Sequence, residues 1–184
     1  MAYINVPEGV PGIRSLAMFR PETGKLLYDL AQVLLRGESP LTPAEREIIA
    51  AHVSNRNECR FCRDSHAAAA RVLLGDEKAA IVDEVISDID HAHLSEKMAA
   101  LLNIAGKVQI LGKQVTPDDI RRARDAGAGD RDIHDTVLIA AAFSMFNRYV
   151  DGLASFTPDD PEAYRAMGVR MAKGYVAPQT QTPS

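Results

Sequence analysis

The chain has 184 residues, of which 25 are acidic and 21 basic, giving a formal net charge of −4 at pH 7. That length suits one domain that buries its core without disulfide staples, and the charge balance excludes a broad basic surface for nucleic acid. No run reaches the roughly eighteen apolar residues of a membrane span, and Met1-Ala2-Tyr3-Ile4-Asn5-Val6-Pro7 lacks the pattern of a signal peptide, so a cytoplasmic setting is expected.

Pro7, Gly9, Pro11 and Gly12 punctuate the start, and residues 1–20 read as an extended arm of the kind that lies over a neighbouring subunit. Helix signals then recur. Leu26, Leu27, Leu30, Val33 and Leu34 form an apolar stripe from Pro21 to Arg36, closed by Gly37. Thr42-Pro43-Ala44-Glu45 is a helix start with Thr as N-cap, Pro at N1 and Glu at N3. That helix is predicted to end near Ser54, before Asn55-Arg56-Asn57. A second begins near Glu58 and ends at Gly75.

Asp76 to Ser87 is predicted as a shorter amphipathic helix, and Ser95 caps another that runs to Leu111. Thr116-Pro117-Asp118-Asp119 repeats the start signal, with Gly127 as the stop. Asp130 opens a long helix through Ile133, Val137, Leu138, Ala141, Met145 and Tyr149. Thr157-Pro158-Asp159-Asp160 starts the last, ending at Gly174. Residues 176–184, rich in Pro, Gln, Thr and Ser, read as a flexible tail. The fold class is all-α, with one domain over 21–175.

Both cysteines lie in Glu58-Cys59-Arg60-Phe61-Cys62-Arg63-Asp64-Ser65-His66. On a helix starting near Glu58, Cys59, Cys62 and His66 fall at i, i+3 and i+7, on one face. A thiolate is the reactive form of cysteine, so what lowers the thiol pKa decides the chemistry. Free N–H groups of the first turn, the flanking Arg56, Arg60 and Arg63, and His66 as an acceptor for the Cys62 proton all act in that direction. A thiolate that attacks a peroxide becomes a sulfenic acid, which condenses with a nearby thiol to a disulfide. A second cysteine one turn away supplies that thiol.

Other readings compete. A structural zinc site would take Cys59, Cys62 and His66, with Glu47 or His52 as fourth ligand, but no second ligand pair at finger spacing exists. Arg63 after Cys62 excludes haem attachment, and the lack of convincing strands excludes a thioredoxin-type site. A weak echo also runs along the chain. A shift of 88 residues lays Glu47, Cys59 and Cys62 over Asp135, Asn147 and Val150. Asn147 and Arg148 would then approach the cysteines across a pseudo-symmetric core; the simpler reading is that they cap or pair near a helix end.

The run from Glu47 to His66, a Glu, eleven residues, then C-x-x-C-x-x-x-H, resembles the core of the alkylhydroperoxidase AhpD-like family within the carboxymuconolactone decarboxylase superfamily. The resemblance covers about residues 41–75, and Ala140-Ala141-Ala142-Phe143-Ser144-Met145-Phe146-Asn147-Arg148 resembles the peroxidase-related branch. It implies an all-α bundle assembling as a trimer or hexamer. It also implies that Cys62 attacks the peroxide, Cys59 resolves it, and His66 and Glu47 relay protons. In that family's peroxidases a His stands between the cysteines; here the position holds Phe61.

The expected function is therefore a thiol-dependent hydroperoxide reductase. Its partners would be a hydroperoxide and an external dithiol donor, with no metal, flavin or haem. The alternatives are a zinc-binding or redox-sensing C-x-x-C module without turnover, or a lactone enzyme of the decarboxylase type, a branch that does not need a cysteine pair.

Overall fold

A computed structural model describes residues 2–178. Among these the chain forms nine α-helices: α1 Gly12–Phe19, α2 Pro21–Arg36, α3 Pro43–Arg56, α4 Arg60–Leu74, α5 Ala80–Ser87, α6 Glu96–Ile110, α7 Pro117–Asp125, α8 Asp130–Gly152 and α9 Pro161–Ala172. The all-α expectation holds. Several helix starts obey the predicted cap chemistry. At Thr42 the hydroxyl accepts from the Glu45 N–H at 3.2 Å, while Glu45 Oε2 accepts from the Thr42 N–H at 2.7 Å. Thr116 and Asp119 repeat the reciprocal pair, and Ser95 accepts from the Met98 N–H. Such caps satisfy N–H groups that have no partner within the helix.

The first correction concerns the arm. Gly12–Phe19, expected to belong to the extended arm, fold as α1, with Pro11 as N-cap in extended conformation. Pro11-Gly12 thus marks a helix start rather than continuous coil. Leu16 and Ala17 of α1 are buried, and α1 packs on α2. The expected tail reaches beyond the described residues, which end at 178. Asp76 to Ala79, expected to be helical, form turns ahead of α5.

α3 is the centre of the bundle. Arg46 to Ser54 are all buried, and α3 packs on α4, α6 and α8. The core around it includes Leu35, Leu101, Leu102, Ile104, Ile139 and Phe143, each essentially inaccessible. Truncating a side chain such as Phe143 to alanine there costs about 3–5 kcal/mol. α4 is held between α3 and α9, and its Ala67 to Ala70 run lets both neighbours come close. A Cβ on Gly168 of α9 would stand 2.7 Å from the backbone of Ala68, so only glycine permits that approach.

Candidate active site

The site grows from a carboxylate that the core must neutralise. Glu47 lies on α3 with its side chain fully buried. An isolated buried charge is costly, so partners must surround it. Arg36, on the last turn of α2, donates through Nη2 to Glu47 Oε1 at 2.6 Å. Tyr175, just beyond α9, donates its hydroxyl to the same oxygen at 2.7 Å. His66 Nδ1 on α4 meets the other oxygen, Oε2, at 2.7 Å. Burial alone would push the Glu47 carboxyl upward. The charge and hydrogen bond of His66, then Arg36, then Tyr175 outweigh it, and its pKa falls below the ordinary value. The group is a carboxylate.

The same contacts fix the imidazole. With Nδ1–H donating to Glu47, Nε2 is left as the basic nitrogen. Phe143 holds the ring edge-on at 4.5 Å between centroids, and Tyr175 lies nearly parallel to it at 6.2 Å. Burial, and then the Glu47 charge, push the Tyr175 phenol well above its ordinary pKa, so it remains a donor.

The α3–α4 connection brings the sulfurs to this cluster. Glu58 takes a left-handed φ of 59°, and the Cys59 N–H donates to the Ser54 carbonyl at 3.0 Å. The chain reverses there and sets α4 along α3, which lets His66 reach Glu47. Asn147 of α8 braces the reversal: its Nδ2 donates to Ser54 Oγ at 3.0 Å, and its Oδ1 accepts from Asn57 Nδ2 at 2.8 Å. Gln109 Nε2 adds a 2.8 Å bond to Asn57 Oδ1. Asn147 therefore pairs near a helix end, the simpler of the two readings, and acts on the cysteine turn through the side chains of Ser54 and Asn57. Arg148 bonds the Ser144 carbonyl at an exposed position and takes no part. Asp135 bonds Ser39 and has none of Glu47's partners, so the 88-residue echo has no counterpart in the site.

Cys59 is the N-cap of α4, not a residue of its first turn. This corrects the single-face expectation: Cys62 and His66 are one helical turn apart on α4, while Cys59 stands at its entrance. The cysteines are both free and buried. Cys62 lines a cavity of about 270 Å³ together with His66, Phe61, Phe143 and Tyr175, and Cys59 is absent from its wall. Its hydrogen bond to Cys62, and then burial, hold the Cys59 thiol far above its ordinary pKa. Cys59 keeps its proton. The Cys62 backbone N–H at the helix start acts to lower its pKa, in the direction the sequence argument expects, but is outweighed.

The neighbouring arginines do not activate it either. Arg60 pairs with Asp159 at 2.7 Å and Arg63 with Asp64 at 2.7 Å, while Arg56 points to Gln109. Phe61 packs its ring under Gly12, where a Cβ would lie 1.9 Å from the ring. It gives the cavity an apolar wall in place of a titrating group. His52 faces away from the cluster; burial, and then Arg56, lower its pKa to about 4. Among the described residues no three His, Cys, Asp or Glu side chains are grouped as a metal ion requires.

Two of the Glu47 partners escaped the sequence reading. The adjacent Arg46 does not pair with Glu47; it donates to the carbonyls of Leu34 and Gly37. Arg36 takes that place, with Tyr175. Arg36 also donates to the Met171 carbonyl at 2.8 Å and lies over the Tyr175 ring at 5.2 Å. The one available signal was a terminal arginine before Gly37, which reads equally well as a helix-dipole contact.

Fold and site together define an all-α protein with a buried Glu–His pair beside a C-x-x-C sulfur. Residues 21–107 match the carboxymuconolactone decarboxylase family. A solved peroxidase-related protein from Silicibacter sp. TM1040 superposes with a TM-score of 0.77 at 28% identity, covering 86% of this chain and 81% of that one. An AhpD-core, peroxidase-related protein from Ralstonia eutropha JMP134 gives 0.77 at 26% identity, with the same coverage of 86% and 81%. The protein YdfG of Bacillus subtilis (strain 168) is 25% identical over 128 residues, 70% of this chain and 84% of that one. These similarities support an AhpD-like member of the carboxymuconolactone decarboxylase superfamily. No described helix is long and apolar enough to cross a membrane.

Proposed function

We propose that the protein is a thiol peroxidase that reduces organic hydroperoxides with electrons from an external dithiol. The observation that carries the reading is the 2.7 Å contact between Glu47 and His66 on the wall of a cavity that Cys62 shares. His66 takes the Cys62 proton, and the resulting imidazolium is stabilised by the Glu47 carboxylate. The thiolate attacks the distal peroxide oxygen and the O–O bond breaks. His66 returns its proton to the departing alkoxide, which leaves as an alcohol, and Cys62 becomes a sulfenic acid. Cys59 then attacks that sulfur; its proton leaves with the displaced hydroxide as water, and a Cys59–Cys62 disulfide remains. A donor dithiol reduces the disulfide by exchange and is itself oxidised.

Burial supports the division of labour. Cys62 faces the cavity where a peroxide would arrive, and Cys59 sits behind it with its proton held. The same reading includes a homo-oligomer, a trimer or hexamer, whose mass sedimentation would give. The deciding experiment is a thiol titration before and after one equivalent of hydroperoxide, followed by turnover with lipoyl and thioredoxin-type donors. Loss of both thiols, recovery with a dithiol and catalytic turnover are expected. Unchanged thiols would overturn the proposal.

A further inference from the structure

The cavity in front of Cys62 has a charge pattern that the peroxidase chemistry does not require. Its interior is apolar, walled by Ile13, Leu27, Phe61, Phe146 and Met167. Arg14 of α1, Arg170 of α9 and Lys173 just after α9 also line it, and no carboxylate does. This happens in a chain with a net acidic balance. Two of the acids close by in sequence are engaged elsewhere: Asp29 with Lys25, and Glu162 with Arg165. Arg14 and Arg170, from opposite ends of the chain, line one cavity together with Tyr28. The charge buried deeper, on Glu47, is matched by Arg36 and His66, so it does not account for these cations.

A pocket built from apolar walls with a few convergent polar groups fixes both the body and the orientation of its ligand. We propose that the substrate is an acidic, apolar hydroperoxide: a hydrocarbon body carrying the –OOH group and a carboxylate. Arg14, Arg170 and Lys173 hold the carboxylate, the apolar wall takes the hydrocarbon, and the peroxide is directed to Cys62. At about 270 Å³ the cavity lies near the lower end of small-molecule sites, which run from roughly 300 Å³ upward. A medium-length chain or a single ring suits it better than a long lipid. Phe61 fits this assignment, because an apolar side chain between the cysteines extends the surface the hydrocarbon meets.

The inference rests on the peroxidase reading for its chemistry but not for its binding, and two arms keep them apart. In the first, sodium decanoate and decanol are titrated calorimetrically into the reduced wild-type protein and the Arg14→Gln/Arg170→Gln double variant. Decanoate is expected to bind at least about tenfold more tightly than decanol to wild type, with the preference lost in the variant and reduced by salt. Equal binding in wild type, or an unchanged preference in the variant, overturns the inference. Both arginines are at least partly exposed; if the double variant misfolds, Lys173→Gln carries the same comparison. In the second arm, kcat/KM is measured for a medium-chain carboxy-alkyl hydroperoxide and its methyl ester. The acid-to-ester ratio is expected to be about ten or more and to fall toward one in the variant. Turnover of both with a ratio of one sinks the substrate class alone. Preferential decanoate binding with no turnover of either sinks the peroxidase reading alone.

Discussion

The Tyr175 hydroxyl donates to Glu47 Oε1 at 2.7 Å across 128 residues of sequence, joining the segment after α9 to the carboxylate that orients His66. The tie is reinforced on both sides. Arg36 bonds the same oxygen and the Met171 carbonyl, and the Tyr175 N–H donates to Gln32 Oε1 at 2.7 Å. The wall of the cavity and the charge state of Glu47 are therefore one structure. Whatever displaces residues 171–175 also strips partners from Glu47.

Tyr175→Phe removes one of the groups that hold the Glu47 pKa down. A hydrogen bond to a charged group contributes about 1.5–3 kcal/mol. The carboxyl pKa is thus expected to rise, and the acid limb of the kcat/KM profile to move to higher pH. Stability should fall by a similar amount. A pH profile superimposable on wild type would show that Tyr175 only fills space.

Arg36→Ala leaves a buried carboxylate with one cation fewer. Breaking a buried pair in this way costs about 3–5 kcal/mol, and the Met171 carbonyl loses its donor as well. Urea unfolding is the check, with the midpoint expected to drop sharply at neutral pH. The loss should shrink in acid, where Glu47 is protonated and no longer needs the guanidinium.

Acid itself should destabilise the protein through Glu47. Its folded pKa is depressed, so the unfolded chain binds more protons in the acid range and unfolding free energy rises with pH there. The contribution is complete above the unfolded value of about 4.3 and is lost as pH falls through the folded one. Urea midpoints measured down to about pH 3 should show this slope, and Glu47→Gln should flatten it. An equally steep slope in the variant would assign acid sensitivity to other carboxylates, such as Asp119, whose pKa is also depressed, chiefly by Lys107.

Much of the fold was legible because its signals are local. Thr42-Pro43-x-Glu45, Ser95 and Thr116-Pro117-x-Asp119 each carry their own cap partners within three residues, and the structure uses all three. α1 was missed because Pro and Gly mark both coil and helix starts, and only burial against α2 decides between them. Cys59, Cys62 and His66 stand out by spacing and Glu47 by the resemblance to the AhpD-like core, yet the spacing misplaces Cys59. A helix beginning at Arg60 rather than Glu58 turns a first-turn residue into a cap. Arg36 and Tyr175 lie 11 and 128 residues from Glu47 and meet it through tertiary packing alone, which no periodicity reports.

Asn147→Ala removes the brace on the cysteine turn. A buried hydrogen bond to Ser54 and a part-buried one from Asn57 are lost, and leaving the buried Ser54 hydroxyl unsatisfied costs about 1–3 kcal/mol. Because Asn147 holds the side chains of Ser54 and Asn57, in the turn before Cys59, disulfide formation should slow more than the attack on peroxide. Rapid-mixing experiments separate the two steps, and equal slowing of both would count against a specific role for the turn.

The most direct test of the whole account is the fate of the sulfurs in Cys59→Ser. With the resolving thiol gone, one equivalent of hydroperoxide should convert Cys62 to a sulfenic acid that a dimedone-type probe traps. Mass spectrometry should then place one adduct, on Cys62. Consumption of the peroxide with Cys62 left as an unmodified thiol would contradict the account at its centre.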